Sequence, residues 1–497
     1  MSDKVNNSYR SIVKATGIFG MMQFIKLIIG IVSSKFVAIF LGPIGIGLVS
    51  LLTNALNIVL AITNFEFLRT ATREVALNHD ENDNSKVSNT LVILQKMAIV
   101  IGFLGAIIVI VFSKILSFYT FGNYNRQNWF ILLSIYLLIS SYSNLRMAVL
   151  QGINNIKRLA LCNIIIALLT SVGSVIIYYF YRIEGIIWVL LYSSFVMLVV
   201  TVYFTRKFTF SFLPINFNEF YKNSSPVFKL GFLMSLNLIF GQISFFVIRL
   251  FLNDNGASSE ILGFYEVNSV ILINYVGLIF NAMSYDFFPK LAAISKDNSK
   301  MNLLVNNQIE IAIIVITPAI IFLYVMAPYV IQLLYSKAFL DTFIILKMSL
   351  FSVILKAIIF PLGYMVLVKG NKKLFFKLTL IGDIINLAFS IILYYYFGLT
   401  GLGLAFILNY LFNGIYIYFI VKNEYKFEFD NESKRLIVIN VILGFLAVVF
   451  VYCFLEVYSN ILLTLLFITS LLFSYVELNK RIDIKGFIMK KINKIKK

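Results

Sequence analysis

Two lysines lie inside apolar segments at positions from which they cannot easily snorkel to water. Lys26 lies about 16 residues, roughly 24 Å of helix, from the glycine turn at Gly42, and Lys356 has about 13 apolar-segment residues on either side. A charge at the bilayer centre costs roughly 2.5–3.5 kcal/mol, so it survives only facing a cavity or a partner. Gln23, Lys26, Gly30 and Ser33 share one helical face, a polar and small stripe suited to lining a cavity. The alternative is that each lysine pairs with a buried carboxylate or carbonyl as glue between helices.

Other polar residues recur inside apolar segments. Asn57 and Asn64, seven apart, reappear as Asn274 and Asn281. Such amides either hydrogen-bond a ligand's hydroxyls or tie helices together at about 0.6 kcal/mol each. Asp383, Asn386 and Ser390 share a face, and Asp383 is suited to carrying H+ or binding Na+, or to serving as a lysine's counter-ion. Glu66, Arg69 and Arg73 cluster where a segment ends. Two arginines one turn apart can grip a phosphate, and Glu66 is a second candidate for ion coupling. The one histidine, His79, reads as a solvated loop residue, while Cys162 and Cys453 lie in distant segments, so neither a metal site nor a disulfide framework is indicated. No Walker lysine loop is present, and no outer loop exceeds about a dozen residues, so no enzyme site and no cofactor are expected.

The elements that position these residues follow from composition. A hydrophobic fraction of 60% with 13% charged residues does not describe a soluble chain of 497 residues. Mean hydropathy is +0.90. About fourteen apolar runs, near 18–41, 44–65, 90–113, 128–150, 159–181, 184–205, 230–252, 262–285, 308–335, 342–368, 375–397, 400–421, 436–454 and 458–478, reach the roughly 20 residues needed to cross a bilayer. They lack barrel alternation, so the fold class is an all-α polytopic membrane protein.

The first twelve runs form two copies of a six-span unit. Tyr178, Tyr179, Phe180 and Gly185 recur as Tyr394, Tyr395, Tyr396 and Gly401, and Gly152 before a basic pair recurs as Gly370. Six is even, so the copies enter the membrane alike, as parallel repeats. Expected boundaries are a bundle at 1–207, a linker at 208–229, a second bundle at 230–422, two additional helices within 423–478 and a basic tail at 479–497. The net charge of +19 is concentrated in alternate loops, which places both termini in the cytoplasm and argues for a membrane surface rather than nucleic acid as the partner.

The stretch from Lys26 to Leu52, with Gly30, Ser33, Lys35, Ala38 and LGPIGIG at 41–47, resembles the opening of polysaccharide-transporter flippases of the MATE-like superfamily. The asparagine-bearing second span, Gln151–Gly152 before Lys157 and Arg158, and the six-plus-six duplication are similar too; the resemblance covers roughly residues 10–422. It implies two bundles flanking a cavity, alternating access, a bacterial inner-membrane location and a substrate of oligosaccharide on undecaprenyl diphosphate, such as an O-antigen unit of lipopolysaccharide. Polysaccharide polymerase and chain-length machinery are the implied protein partners. The diphosphate would fall to Lys26, Lys356, Arg69 and Arg73, and glycan hydroxyls to the four asparagines. Two spans beyond twelve depart from that pattern; extra terminal helices also occur in the lipid II flippase branch. A multidrug or metabolite exporter of the same superfamily and a membrane glycan polymerase are the alternatives.

Overall fold

The computed structural model describes residues 2–64, 66–78, 84–153, 156–208, 217–254 and 259–481. Every regular element there is helical. His79 and the tail beyond Arg481 lie outside the described residues.

The chain forms two compact units, Met1–Gly263 with Leu334–Ser336 and Phe264–Leu333 with Lys337–Lys497. In the first unit α1 (Ser2–Asn64) is two helices joined at Gly42, whose φ of 63° and ψ of −174° suit glycine almost alone. Then come α2 (Phe67–Asn78), α3 (Asn84–Val111), α4 (Ser113–Phe121), α5 (Gln127–Gly152), α6 (Ile156–Tyr181), α7 (Gly185–Thr205) and α8 (Phe217–Asp254). The second unit holds most of α9 (Ser259–Ser269), a π-helical turn over Val270–Tyr275, α10 (Gly277–Ala293), α11 (Asn298–Leu334), α12 (Thr342–Val368), α13 (Lys372–Tyr425), α14 (Asn431–Cys453) and α15 (Glu456–Arg481). α13 also contains two helices, joined at Gly398.

Ten described stretches are long and apolar enough to cross a membrane. Three of them, Met21–Asn64, Lys157–Thr205 and Lys373–Tyr425, are long enough for two crossings, and α8 carries the shorter apolar stretch Ile239–Leu252. Counted that way, the described residues give thirteen of the fourteen spans expected from hydropathy, and the α8 stretch, at the position of the seventh, is shorter than a full crossing.

The duplication reaches the backbone. In the first copy Arg182, four residues after Tyr178, takes φ 50°; in the second Gly398, four after Tyr394, takes φ 56°. A Cβ on Gly185 would press on the carbonyl oxygen of Ile177, and one on Gly401 on that of Leu393, again equivalent positions. The two hairpins close alike because each glycine lets a helix start against the preceding helix's last carbonyls.

Two placements differ from the expected boundaries. α8 starts at Phe217, so part of the stretch expected as linker is helix. Its polar opening, with Asn218, Glu219 and Lys222, is helix-compatible yet carries no hydropathy signal. α8 also packs in the first unit: Arg249 Nε donates to Ser50 Oγ at 2.8 Å, and its Nη1 to the Phe245 carbonyl.

In the second unit a polar stripe on α11 holds the last helix pair. Asn302 Nδ2 donates to the Lys426 carbonyl, and Asn306 Nδ2 to that of Glu428 at 3.0 Å. Ser433 Oγ donates to Glu310, and Ser474 Oγ to the Ile314 carbonyl. The spacing of four residues keeps all of these on one face. At the same end, Arg435, Lys480 and Arg481 converge on Glu477, which is 3% exposed, while Arg481 also grips Glu310 at 2.6 Å. Acidic and amide caps start the helices here, with Asn371 accepting from Leu374 N–H and Asp430 from Ser433 N–H. Asp297 accepts from Lys300 N–H; that bond and the Lys300 ammonium hold its carboxyl below the usual range. This end carries most of the basic connections and is called the basic end below.

Candidate functional site

Lys26 is half-buried on α1 and has no ion pair among the described residues. Its stripe opens on space: Gln23 and Gly30 are exposed, and a Cβ built on Gly30 meets no atom within 4 Å. α1 also has a second exposed stripe, Ile28, Val32, Phe36 and Ile39, which is wholly apolar. At 100° per residue the two stripes are centred about 150° apart. The apolar one has the chemistry of a lipid face, so the polar one has a different neighbour to serve.

Lys356 repeats the arrangement in the second unit. It is half-buried on α12, without an ion pair among the described residues, and its ammonium lies 4.9 Å from the Phe280 ring centroid. Phe280, Phe360 and Tyr364 continue as an edge-to-face aromatic wall at 5.2 and 6.0 Å. Seven residues along the same face, Gly363 also has nothing within 4 Å of a built Cβ. Pro361 lies in the α12 interior and has no N–H for the carbonyl of Ala357, which leaves a polar backbone group beside the lysine. The alternative in which carboxylates neutralise these lysines finds no such partner among the described residues.

The asparagines separate in role. Asn57, Asn274 and Asn281 are exposed, while Asn64 is half-buried and its Oδ1 has no hydrogen-bond partner. Asn274 sits within the π-helical turn, a widened backbone that frequently marks functional positions, whereas Asn57 lies in regular helix. The duplication is thus broken at this pair.

Arg69 and Arg73 are exposed on α2, each beside an acid. Arg69 Nε lies 3.2 Å from Glu66, and Arg73 Nη1 3.2 Å from Glu74. Glu66 takes a left-handed φ of 49°, unusual for a residue with a side chain, which turns α1 into α2.

Asp383 is half-buried on the first leg of α13, one turn from Asn386. The second leg brings two amides that sequence reasoning missed. Asn409 Nδ2 reaches Asn386 Oδ1 at 3.4 Å, and Asn413 Nδ2 donates to Asn409 Oδ1 at 2.8 Å. Gly382 makes room, since a Cβ there would lie 3.0 Å from the Asn413 amide. A carboxylate beside a row of amide oxygens is a donor set for a hard cation or a proton. The spacing of Asn409 and Asn413, i and i+4 in an apolar run, was the signal available.

Several solved transporters share the fold. The lipid II flippase MurJ in its inward closed conformation superposes with a TM-score of 0.66 at 15% identity, over 94% of this chain and 99% of that one. An inward-facing multidrug resistance MATE family transporter of the MOP superfamily gives 0.66 at 16% identity, over 81% and 98%. A MOP superfamily transporter from Pyrococcus furiosus, described as having a binding pocket of reverse polarity, gives 0.55 at 15% identity, over 83% and 96%. No curated protein matches in sequence. A family model described as polysaccharide biosynthesis protein matches residues 74–344, just over half of the chain. With that model matched over more than half of its length and an all-helical fold shared with these transporters, this chain belongs to the polysaccharide biosynthesis protein family.

Proposed function

We propose that the protein is a flippase that moves an oligosaccharide on undecaprenyl diphosphate, a repeat unit of O-antigen or another surface polysaccharide, across the bacterial cytoplasmic membrane by alternating access. One observation carries this reading: each unit holds a membrane-depth lysine, Lys26 or Lys356, without an ion pair among the described residues, on a face where a glycine borders open space. A lysine there needs an anion, and a diphosphate is the anion a lipid-linked glycan presents. The family match and the MurJ-like fold point to the same substrate class.

The basic end lies in the cytoplasm, following the positive-inside rule. Arg69 and Arg73 receive the diphosphate by exchange with Glu66 and Glu74. Asn57, Asn64, Asn274 and Asn281 supply hydrogen bonds to glycan hydroxyls. Asp383 with Asn386 and Asn409 carries the coupling H+ or Na+, with Glu66 the second candidate. Export of cationic drugs, suggested by the MATE neighbours, is the second reading, and the unpaired lysines disfavour it.

The test uses a strain lacking the gene, complemented with wild type, Lys26→Ala, Lys356→Ala or both. Each lysine is expected to be worth about tenfold to a hundredfold in translocation, the value of a charge-assisted hydrogen bond. The double variant should reach wild-type abundance yet leave undecaprenyl-diphosphate glycan on the cytoplasmic leaflet. Full activity in that variant would end the cationic-site idea. Normal surface glycan in the deletion strain, with heightened sensitivity to cationic drugs, would establish the exporter instead.

A further inference from the structure

A cavity of about 330 Å³ lies between α12, the second leg of α13 and α14. Its walls are almost wholly apolar, with Leu355, Ile359, Leu362 and Ile437 contributing. Three rim residues, Leu411, Ile415 and Val438, are 41%, 47% and 56% exposed, so the cavity opens sideways onto the apolar membrane surface. From Leu362 to Leu355 it runs about 10 Å along α12, which is within one leaflet of a roughly 30 Å core.

The mouth lies at the basic end and is built differently. Tyr418 stacks on Phe429 with centroids 5.1 Å apart, and both line the cavity. Lys422 sits over the Tyr418 ring at 6.0 Å, and Lys434 lines the opening directly. The neighbouring cations are consumed: Arg435 by Glu432 and Glu477, Lys480 by Glu477, and Arg481 by Glu310 and Glu477. Lys422 and Lys434 have no ion pair among the described residues.

We propose that this is a binding site for one anionic phospholipid of the cytoplasmic leaflet, with an acyl chain in the groove and the phosphate between Lys422 and Lys434. The charge fits, because that leaflet carries the anionic lipids and a surface lysine adds about 1 kcal/mol of attraction, or roughly fivefold. The lining fits an acyl chain and rejects a glycan, which would find almost no hydrogen-bonding group there. The depth fits a chain confined to one leaflet rather than a long polyprenyl tail crossing to the other. The site is separate from the Lys26 and Lys356 faces, so it stands or falls independently of the flippase reading.

The full chain, purified in detergent, is titrated with dioleoyl phosphatidylglycerol and with dioleoyl phosphatidylcholine, and bound lipid is counted by native mass spectrometry. One equivalent of the glycerol lipid should bind in preference to the choline lipid. Lys422→Ala with Lys434→Ala should weaken it by about thirtyfold and leave the choline lipid unchanged. Val438→Trp, at an exposed rim position that folding should tolerate, should displace one equivalent of either lipid. Unchanged phosphatidylglycerol binding in both variants overturns the site. If undecaprenyl phosphate takes the same equivalent more tightly than phosphatidylglycerol, the groove belongs to the carrier lipid and the proposal is wrong.

Discussion

Replacing Glu477 by alanine removes the carboxylate that three cations share. Full burial of such a pair would make the loss worth about 3–5 kcal/mol. The surroundings here lower that figure, because the Arg435 and Lys480 side chains are 44% and 57% exposed and recover water when released. Each contributes as a surface pair does, about 0–1 kcal/mol. Arg481 is 20% exposed and keeps Glu310, so its bond to Glu477 counts as one charge-assisted hydrogen bond, about 1.5–3 kcal/mol. The expected cost is therefore about 2–4 kcal/mol, a thirtyfold to several-hundredfold rise in local opening of α15. Ser470, on α15 and 0% exposed, is a reporter position. With Cys162 and Cys453 replaced, the maleimide reaction rate of Ser470→Cys in mild detergent measures the opening. Glu477→Ala should accelerate it by that factor, Lys480→Ala by no more than about fivefold, and added salt should erase the smaller effect first. Equal acceleration by the two variants, or none from Glu477→Ala, would refute the assignment of the stabilisation to the buried carboxylate.

Two further substitutions read packing directly. Gly263→Ala places a Cβ on the Pro43 carbonyl oxygen and 2.7 Å from its carbon, backbone that cannot swing away, so a loss of about 1–3 kcal/mol and a lower melting temperature are expected. Gly30→Ala, facing open space inside a helix, should instead gain about 0.5–1 kcal/mol; the same sign for both would discredit the packing argument. Gln95, 1% exposed, has neither amide atom partnered, so Gln95→Leu should raise the melting temperature by removing about 1–3 kcal/mol of burial cost. A lower one would mean that the amide is satisfied in the membrane.

Span number and duplication were legible because hydropathy and length act locally: a run of 20 apolar residues spans a bilayer whatever else the chain does. The repeated tyrosine run marked both hairpins, but the left-handed residues within them, Arg182 and Gly398, carried no sequence signal of their own. Long-range pairings were not legible. Arg481 meets Glu310 across 171 positions, and Asn306 meets the Glu428 carbonyl across 122, with nothing in either segment naming the other. Glu310, at the edge of an apolar run, and Glu477 with Arg481, four apart, were visible as unusual charges only. The row from Asn386 to Asn413 exists because α13 folds back at Gly398. Arg69 and Arg73 were legible as a pair one turn apart with Glu66 beside them, whereas the Arg73–Glu74 contact depends on a side-chain orientation that spacing does not give.

Those acids suggest how the chain divides its cations. Where a connection or helix end supplies a carboxylate within one turn or one helix contact, as at Glu66, Glu74, Glu310, Glu432 and Glu477, the basic residue is held in the fold. Other cations have no such carboxylate among the described residues. Lys26 and Lys356 are so placed at membrane depth, and Lys422 and Lys434 at the basic surface. A lysine left without an anion at the bilayer centre costs roughly 2.5–3.5 kcal/mol, far more than one at the interface. On the proposed flippase reading the deep pair is served by a substrate that brings phosphate into the membrane interior and takes it away again, and at the proposed lipid site the surface pair is served by the phosphate that the leaflet always presents. The two proposals thus use one chemistry at two depths, one for cargo and one for resident lipid.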